Sequence, residues 1–200
     1  MEKFIYGRPD SGNVLIQIVD DHDLQVIESQ VRHICRLFGK DFLLVALKAQ
    51  DWMKDLAPGE GSERTLKEVL EVCEDYKEKN LIIGGYSLAG LFALWAAYNT
   101  DVFKAVAAAS PSVWFPGFDE YAHNNKLKTE IVYLSLGDKE EKTRNQQMAT
   151  VGTKIRTLYE TYRADNINCV LEWNNGGHFS EPDLRTAKAF AWALNQTLIT

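Results

Sequence analysis

The sequence predicts an α/β fold in which about six mostly parallel strands carry helices on both faces. Short, continuous apolar runs such as residues 14–19 and 131–136 alternate with segments whose apolar residues recur at helical spacing. Strands that read as unbroken apolar runs are buried on both faces, as in parallel sheets joined by crossover helices. The 200 residues, 46% of them hydrophobic, suffice for one well-buried core. We therefore expect a single domain over residues 1–200.

The first half of the chain alternates between strand and helix patterns. Apolar residues from Leu24 to Phe38 recur every three or four positions, and Gly39 then ends the helical pattern. Pro58 and Gly59 break the chain before the next helix. In order, the predicted elements are strand 14–19, loop 20–23, helix 24–38, strand 42–49, loop 51–61 and helix 62–76.

The second half continues this alternation. Residues 88–98 are almost wholly apolar and rich in alanine, which indicates a helix buried on all sides. The connection over residues 110–130 is about one short helix long, so we expect no large cap domain. In order, the predicted elements are strand 81–83, helix 88–98, strand 105–109, strand 131–136, helix 148–162, strand 169–173 and a final helix with Pro182 in its first turn.

Composition and charge argue against several classes of protein. The net charge of −6, without a Lys/Arg-rich run, disfavours nucleic acid and acidic membrane surfaces as partners. The three cysteines, Cys35, Cys73 and Cys169, are odd in number and form no CxxC pair, which disfavours a disulfide scaffold or a zinc site. No apolar run approaches the ~20 residues of a membrane span, and no secretory signal is visible. We expect a cytoplasmic protein without metal.

A nucleophile motif follows the third predicted strand. Residues 85–90 read Gly-Tyr-Ser-Leu-Ala-Gly, close to the G-x-S-x-G elbow that holds a nucleophilic serine on a sharp strand-to-helix turn. The small residues Gly85 and Ala89 would let strand and helix approach each other around Ser87. The backbone N–H of Leu88 is the natural first donor to an oxyanion. The alternative is a helix N-cap serine in an ordinary α/β turn.

A serine nucleophile needs a base, and the base needs an orienting acid. Of the four histidines, His178 is the best placed, because it follows the last strand in a glycine loop and precedes the final helix. The acid is expected after the strand 131–136. Glu140, three residues after Gly137, is favoured, and Asp138 is the alternative. The chain order of serine, acid and histidine is that of α/β-hydrolases.

These residues resemble the esterase family that contains esterase D and the enterochelin esterases. The resemblance covers nearly the whole chain and is carried by four stretches: GYSLAG around Ser87, Ser-Pro-Ser from 110 followed by Trp114, YLSLGDKEEKTRN from 133, and Gly-His-Phe at 177–179. It implies a minimal α/β-hydrolase fold and ester hydrolysis without metal or organic cofactor. It also implies Ser87 and His178 as catalytic residues, with an acid in the GDKE run.

The chain departs from the family pattern at three places. Ala89 replaces the last glycine of the elbow, and we expect the two antiparallel strands that often open this fold to be missing. No His-Gly pair follows the first strand. The second oxyanion donor would then be a backbone N–H of residues 20–22, with Asp21 the first choice.

The sequence thus predicts a serine hydrolase that cleaves a small or exposed carboxylic ester through an acyl-enzyme. A thioesterase or an acyltransferase would use the same triad, and a binding protein could use the same scaffold without catalysis. Trp52 and Trp114 are candidate apolar walls of the substrate site. Five carboxylates lie in the loops expected at its edge, which would disfavour anionic substrates: Asp20, Asp21, Asp23, Asp51 and Asp55.

Overall fold

A seven-stranded sheet forms the centre of the structure, a computed structural model that describes residues 1–199. The sheet order is β1-β3-β2-β4-β5-β6-β7, and every pairing is parallel except that of β1 with β3. The strands are β1 Glu2–Gly7, β2 Asn13–Val19, β3 Leu43–Lys48, β4 Asn80–Tyr86, β5 Ala105–Ala109, β6 Ile131–Gly137 and β7 Asn168–Asn174.

Helices cover both faces of this sheet. α1 and α8 bury their apolar residues against one face, while α3, α4 and α7 pack on the other. The predicted α/β class, with helices on both faces and no large cap, is confirmed, since the β5–β6 connection holds only the short helix α5. The helices are α1 Asp21–Phe38, α2 Trp52–Leu56, α3 Glu60–Cys73, α4 Leu88–Asn99, α5 Phe118–Asn124, α6 Gln146–Ala149, α7 Val151–Ala164 and α8 Pro182–Thr197.

The strand β1 was not predicted, and of the two antiparallel opening strands expected to be missing, one is present. β1 pairs antiparallel with β3, with Glu2 opposite Lys48 and Gly7 opposite Leu43. It is an edge strand, and its residues are exposed or half-buried, with none in the core. An edge strand with one wet side lacks the continuous apolar run by which the buried strands were recognised.

The strand register places the functional loops side by side. Tyr86, the last residue of β4, is in register with Ala109, the last residue of β5. Gly137 at the end of β6 is in register with Asn174 at the end of β7. Because these four strands are neighbours and parallel, the loops that follow them meet at one edge of the sheet, where open α/β folds bind ligands.

No helix within residues 1–199 combines the length and the apolar character needed to cross a bilayer. α4 is the most apolar helix, and eleven of its twelve residues are buried. Its apolar side chains therefore pack in the interior of the protein.

Candidate active site

Ser87 lies on a strained turn between β4 and α4. Its φ of 56° and ψ of −119° fall in a region that residues with a side chain rarely adopt. The backbone holds it there because Ser87 N–H donates to Ala109 O at 3.1 Å and Ser112 N–H donates to Ser87 O at 3.0 Å. The turn thus presents the Ser87 hydroxyl at the carboxyl edge of the sheet.

The departure from the elbow motif at Ala89 has a steric explanation. A Cβ on Gly85 would lie 2.7 Å from the Cβ of Ala89 and 3.0 Å from its backbone carbonyl carbon, so position 85 requires glycine. A Cβ on Gly90 would lie 3.0 Å from Gly85 O and 3.3 Å from Ala109 O. Gly85 and Gly90 are the positions at which helix and strand approach too closely for a side chain, and Ala89 fits between them.

His178 bridges the Ser87 hydroxyl and a carboxylate. Its Nδ1 lies 2.7 Å from Glu140 Oε2, and its Nε2 lies 2.9 Å from Ser87 Oγ. An ionised carboxylate only accepts hydrogen bonds, so the ring proton belongs on Nδ1. Nε2 is then an acceptor and receives the hydrogen bond from the Ser87 hydroxyl. This is the tautomer that a general base requires.

Glu140 is held as a carboxylate by four donors. Its Oε2 accepts from His178, and its Oε1 accepts from Gly137 N–H at 2.7 Å, Ser110 Oγ at 2.9 Å and Arg185 Nη1 at 3.0 Å. Burial of Glu140 opposes its ionisation and would raise the pKa of the carboxyl. The hydrogen bond and the charge of His178, together with the hydrogen bonds from Gly137 and Ser110, outweigh burial and lower that pKa. Glu140 therefore stays charged throughout the neutral pH range.

The loop after β6, here called the acid loop, carries two other carboxylates, and these have different partners. Asp138 Oδ1 accepts from Gly176 N–H at 2.8 Å, in the loop that carries His178. Glu141 pairs with Arg156 at 3.1 Å. Neither makes a hydrogen bond to His178 in the described structure. Asp138 thus anchors the histidine loop through its backbone, while Glu140 contacts the imidazole.

The Ser-Pro-Ser stretch after β5 contacts both ends of this hydrogen-bonded chain. Ser110, which has a φ of 42°, donates to Glu140, and Ser112 Oγ lies 3.3 Å from Ser87 Oγ. Because the Ser87 proton is directed to His178, Ser112 is the donor in the second contact. The sequence marked this stretch as distinctive but gave it no contact.

Tyr86 and Arg185 were not recognised from the sequence. The Tyr86 hydroxyl donates to the backbone carbonyl of His178 at 2.6 Å and accepts from Arg185 Nη1 at 3.2 Å. Burial raises the pKa of Tyr86, so its phenol keeps the proton that it donates. Tyr86 occupies the variable position before the serine in the elbow motif, so the motif assigns it no role. Arg185 is a charged residue in a helix, which usually indicates a solvated side chain.

A cavity of about 390 Å³ opens in front of Ser87. Trp52 and the 92% exposed Phe179 form apolar parts of its wall. Trp114 does not line this cavity; it packs against Phe115, with ring centroids 6.4 Å apart. The lining residues are Asp20, His22, Asp23, Trp52, Tyr86, Ser87, His178, Phe179 and Pro182.

The sequence predicts the backbone N–H groups of Leu88 and Asp21 as oxyanion donors. Leu88 begins α4 and Asp21 begins α1, and neither N–H has an acceptor within residues 1–199. The N–H of Asp20 is already used, since it donates to Asp23 Oδ2 at 3.1 Å. The Asp21 side chain turns to Lys48 at 2.6 Å and borders a neighbouring cavity. The oxyanion roles of Leu88 and Asp21 stay predictions.

Fewer carboxylates line the cavity at Ser87 than the sequence predicts. Of the five predicted carboxylates, only Asp20 and Asp23 line the cavity at Ser87. Asp21 pairs with Lys48, Asp55 pairs with Arg64 at 2.8 Å, and Asp51 caps α2. Burial raises the pKa of Asp23 to about 6, against opposing hydrogen bonding from the Asp20 backbone. The cavity therefore becomes more negative as the pH rises through about 6.

No group of three or more His, Cys, Asp or Glu side chains in the described part of the chain is arranged to hold a metal ion. The other histidines stand apart from the Ser87 hydroxyl: His33 lies 3.8 Å from Asp183, and His123 lies in α5. His22 lines the cavity but makes no hydrogen bond to Ser87 among residues 1–199.

No protein-family model matches this chain, and no curated protein matches it by sequence. Solved structures match its fold. The siderophore hydrolase EstA from Aspergillus nidulans superposes with a TM-score of 0.75 at 16% identity, over 98% of this chain and 90% of that chain. The chain therefore has the fold of this siderophore hydrolase. The shared architecture is the α/β-hydrolase fold, as the sequence predicted.

Two further solved structures match over nearly all of this chain. The enterobactin esterase FES from Shigella flexneri, solved in the presence of enterobactin, gives a TM-score of 0.73 at 16% identity over 98% of this chain. This chain spans 55% of the length of FES. The Pyrococcus furiosus esterase Pf2001 gives a TM-score of 0.65 at 13% identity, over 96% of this chain and 84% of that chain. At these identities the likeness is one of fold.

Proposed function

We propose that this chain is a serine esterase that hydrolyses a carboxylic ester through an acyl-enzyme on Ser87. The observation that carries the proposal is the continuous hydrogen-bonded chain from Ser87 Oγ through His178 to Glu140, with the serine on a strained elbow. Each member comes from the loop after a different parallel strand. Solved structures with this fold include esterases and a siderophore hydrolase, which agrees with the proposal.

In the first step Ser87 Oγ attacks the ester carbonyl carbon while His178 Nε2 takes the hydroxyl proton. The carbonyl electron pair moves to oxygen, and the N–H groups of Leu88 and Asp21 are the proposed donors to that oxyanion. When the intermediate collapses, the C–O bond to the alcohol breaks and His178 gives its proton to the alcohol. Glu140 stabilises the imidazolium that exists between these two transfers.

In the second step water attacks the acyl group on Ser87 and His178 takes a proton from that water. Collapse releases the carboxylic acid and returns the proton to Ser87 Oγ, so the enzyme is regenerated without a cofactor. Trp52 and Phe179 are the proposed apolar contacts of the substrate, since both line the cavity at Ser87. The cavity is open, which suits a small ester or an ester exposed on a larger molecule.

The competing functions use the same first half-reaction. A thioesterase would cleave a C–S bond, and an acyltransferase would pass the acyl group to an alcohol in place of water. Product analysis with matched oxygen esters, thioesters and an added alcohol separates them. A non-catalytic binding protein on this scaffold would form no acyl-enzyme at all.

A fluorophosphonate probe tests the nucleophile directly. We expect the wild type to form a covalent adduct, because His178 activates the Ser87 hydroxyl, and Ser87→Ala to form none. Ser112→Ala is the matched control, since its hydroxyl lies beside Ser87 but contacts no base in the described structure. Intact-protein mass spectrometry measures the adduct. An unlabelled wild type, or a labelled Ser87→Ala, would contradict the proposal.

The charge of the cavity predicts a preference among substrates. We expect the kcat/KM for a neutral ester to exceed that for a matched anionic ester by about tenfold at pH 8, because a carboxylate near the surface repels an anion by about 1–2 kcal/mol. Since the pKa of Asp23 is raised to about 6, its charge is present above that pH and lost below it. The preference should therefore weaken at pH 5.5.

Asp23→Asn tests the source of this preference. The variant keeps an acceptor for Asp20 N–H but removes the charge, so we expect the preference at pH 8 to fall toward its value at pH 5.5. Asp51→Asn, which alters a helix cap outside the cavity, should leave the preference unchanged. A preference for the anionic ester, or one indifferent to Asp23→Asn, would overturn this assignment.

A further inference from the structure

Arg185 is the largest of the fully buried side chains in residues 1–199, with 2% of its surface exposed. It lies in the first turn of α8, directly beneath the loops that carry Glu140 and His178. A buried guanidinium is costly unless it is paired and its donors are satisfied. The molecule therefore maintains a positive charge at this point for a reason beyond packing.

The contacts of Arg185 join four separate segments. Nη1 donates to Glu140 Oε1 at 3.0 Å, to Tyr86 Oη at 3.2 Å and to Ser110 Oγ at 3.4 Å. Nη2 donates to the backbone carbonyl of Asn175 at 2.9 Å. Glu140 is the one anion among these acceptors. Arg185 thus meets the triad acid on the oxygen opposite the one that meets His178.

This arrangement places one carboxylate between two groups that can carry positive charge. Arginine stays charged at any pH at which proteins fold, whereas histidine gains and loses its charge near neutral pH. A buried Glu140 whose only cationic partner was His178 would strongly favour the imidazolium. A protonated Nε2 cannot accept the Ser87 proton. With Arg185 present, Glu140 is already neutralised when the imidazole carries no charge.

We propose that Arg185 is a positioning residue that shares the charge of Glu140 and so keeps His178 in its unprotonated, proton-accepting form. The inference rests on the proposed function, in which His178 is the general base. It acts through Glu140, because Arg185 makes no hydrogen bond to the imidazole ring in the described structure. The charged or titratable groups that face His178 are Glu140 on the acid loop, Arg185 on α8, Tyr86 on β4, and Asp20, His22 and Asp23 at the start of α1.

The sign of the effect distinguishes this role from a structural one. Removing the arginine charge should make protonation of His178 easier, so that the acidic limb of kcat/KM moves to higher pH. The two groups titrate as a coupled pair, and the direction is the same whichever of them holds the proton. A residue that only held the loops together would, when lost, weaken the Glu140–His178 contact and move the limb to lower pH or leave it in place.

The experiment is an NMR titration of the histidine rings in the wild type, Arg185→Gln and Arg185→Lys, with His178→Asn to assign the signal. We expect the midpoint of His178 to rise by about one pH unit in Arg185→Gln, since a neighbouring charge shifts such equilibria by one to three units. Arg185→Lys keeps the charge and should stay within about 0.3 of the wild type. His123 in α5 is the internal control and should not move.

The readout does not depend on activity, so the two hypotheses fail separately. A wild type without Ser87-dependent ester hydrolysis overturns the proposed function, while the titration still reports on Arg185. A midpoint that is unchanged or lower in a folded Arg185→Gln overturns the role of Arg185. If Arg185→Gln does not fold, Arg185→Met fills a similar volume and makes the same test. In a Glu140→Gln background the Arg185 effect should fall by more than half; an undiminished effect overturns transmission through Glu140.

Discussion

Glu140→Gln is expected to lower kcat/KM by about 10³- to 10⁴-fold, the size of effect that follows when a triad base is held in the wrong tautomer. Three donors converge on Oε1 of Glu140, so the carbonyl oxygen of a glutamine would take that place. Its amide NH2 would then face His178 Nδ1 as a donor. The ring proton would move to Nε2, which could no longer accept from Ser87.

Asp138→Asn is the matched control for the acid. Asp138 receives a hydrogen bond from Gly176 N–H, and an asparagine oxygen can accept the same bond. We expect a loss below about tenfold. Steady-state kinetics on a p-nitrophenyl ester, with circular dichroism to establish folding, measure both variants. If Asp138→Asn proved the more damaging of the two, the acid would have to be reassigned to Asp138.

Gly176→Ala is expected to lower kcat/KM about 100-fold and the free energy of unfolding by about 1–3 kcal/mol. Gly176 has a φ of 101°, and a Cβ there would lie 2.5 Å from Ser180 Oγ. Its N–H and carbonyl tie the histidine loop to Asp138 and to Lys139 N–H. A side chain would force the loop to move, and His178 would move with it.

The adjacent Gly177 provides a control of the same chemistry. A Cβ on Gly177 would have no heavy atom within 4 Å, and its φ is outside the left-handed region. Gly177→Ala should therefore change the stability by no more than about 0.5 kcal/mol and leave kcat/KM near the wild-type value. Urea denaturation and ester hydrolysis compare the two variants. Equal losses in both would show that the loop does not depend on the conformation of Gly176.

The buried strands and the elbow could be predicted because their physics is local. A continuous apolar run, a breaker and a helical repeat are each visible within a window of about 18 residues or fewer. The choice between Glu140 and Asp138 was of a different kind. Both follow Gly137 within three residues, and only the path of the chain decides which carboxylate meets His178 and which meets Gly176.

Arg185 marks the limit of reasoning from pattern. It shares a helical row with the buried Ala189 and Ala193, which was the available signal that it faces the interior. A charged residue on an otherwise apolar helical row indicates no specific role until the groups that accept its hydrogen bonds are known. Three of these acceptors, on Glu140, Ser110 and Tyr86, are between 45 and 99 positions away in the chain, so no local window contains them. The edge strand β1 was not predicted because it has too few buried residues to show a strand pattern in the sequence.

The position of β7 in the sheet has a consequence for how activity can be lost. β4, which leads to Ser87, is paired on both sides by β2 and β5, whereas β7, which leads to His178, pairs only with β6 among residues 1–199. Edge segments open locally at a lower free energy than the interior of a sheet. Fraying of β7 would displace His178 and leave Ser87 in place in an intact core. Inactivation and global unfolding are then separate events, with inactivation the earlier of the two.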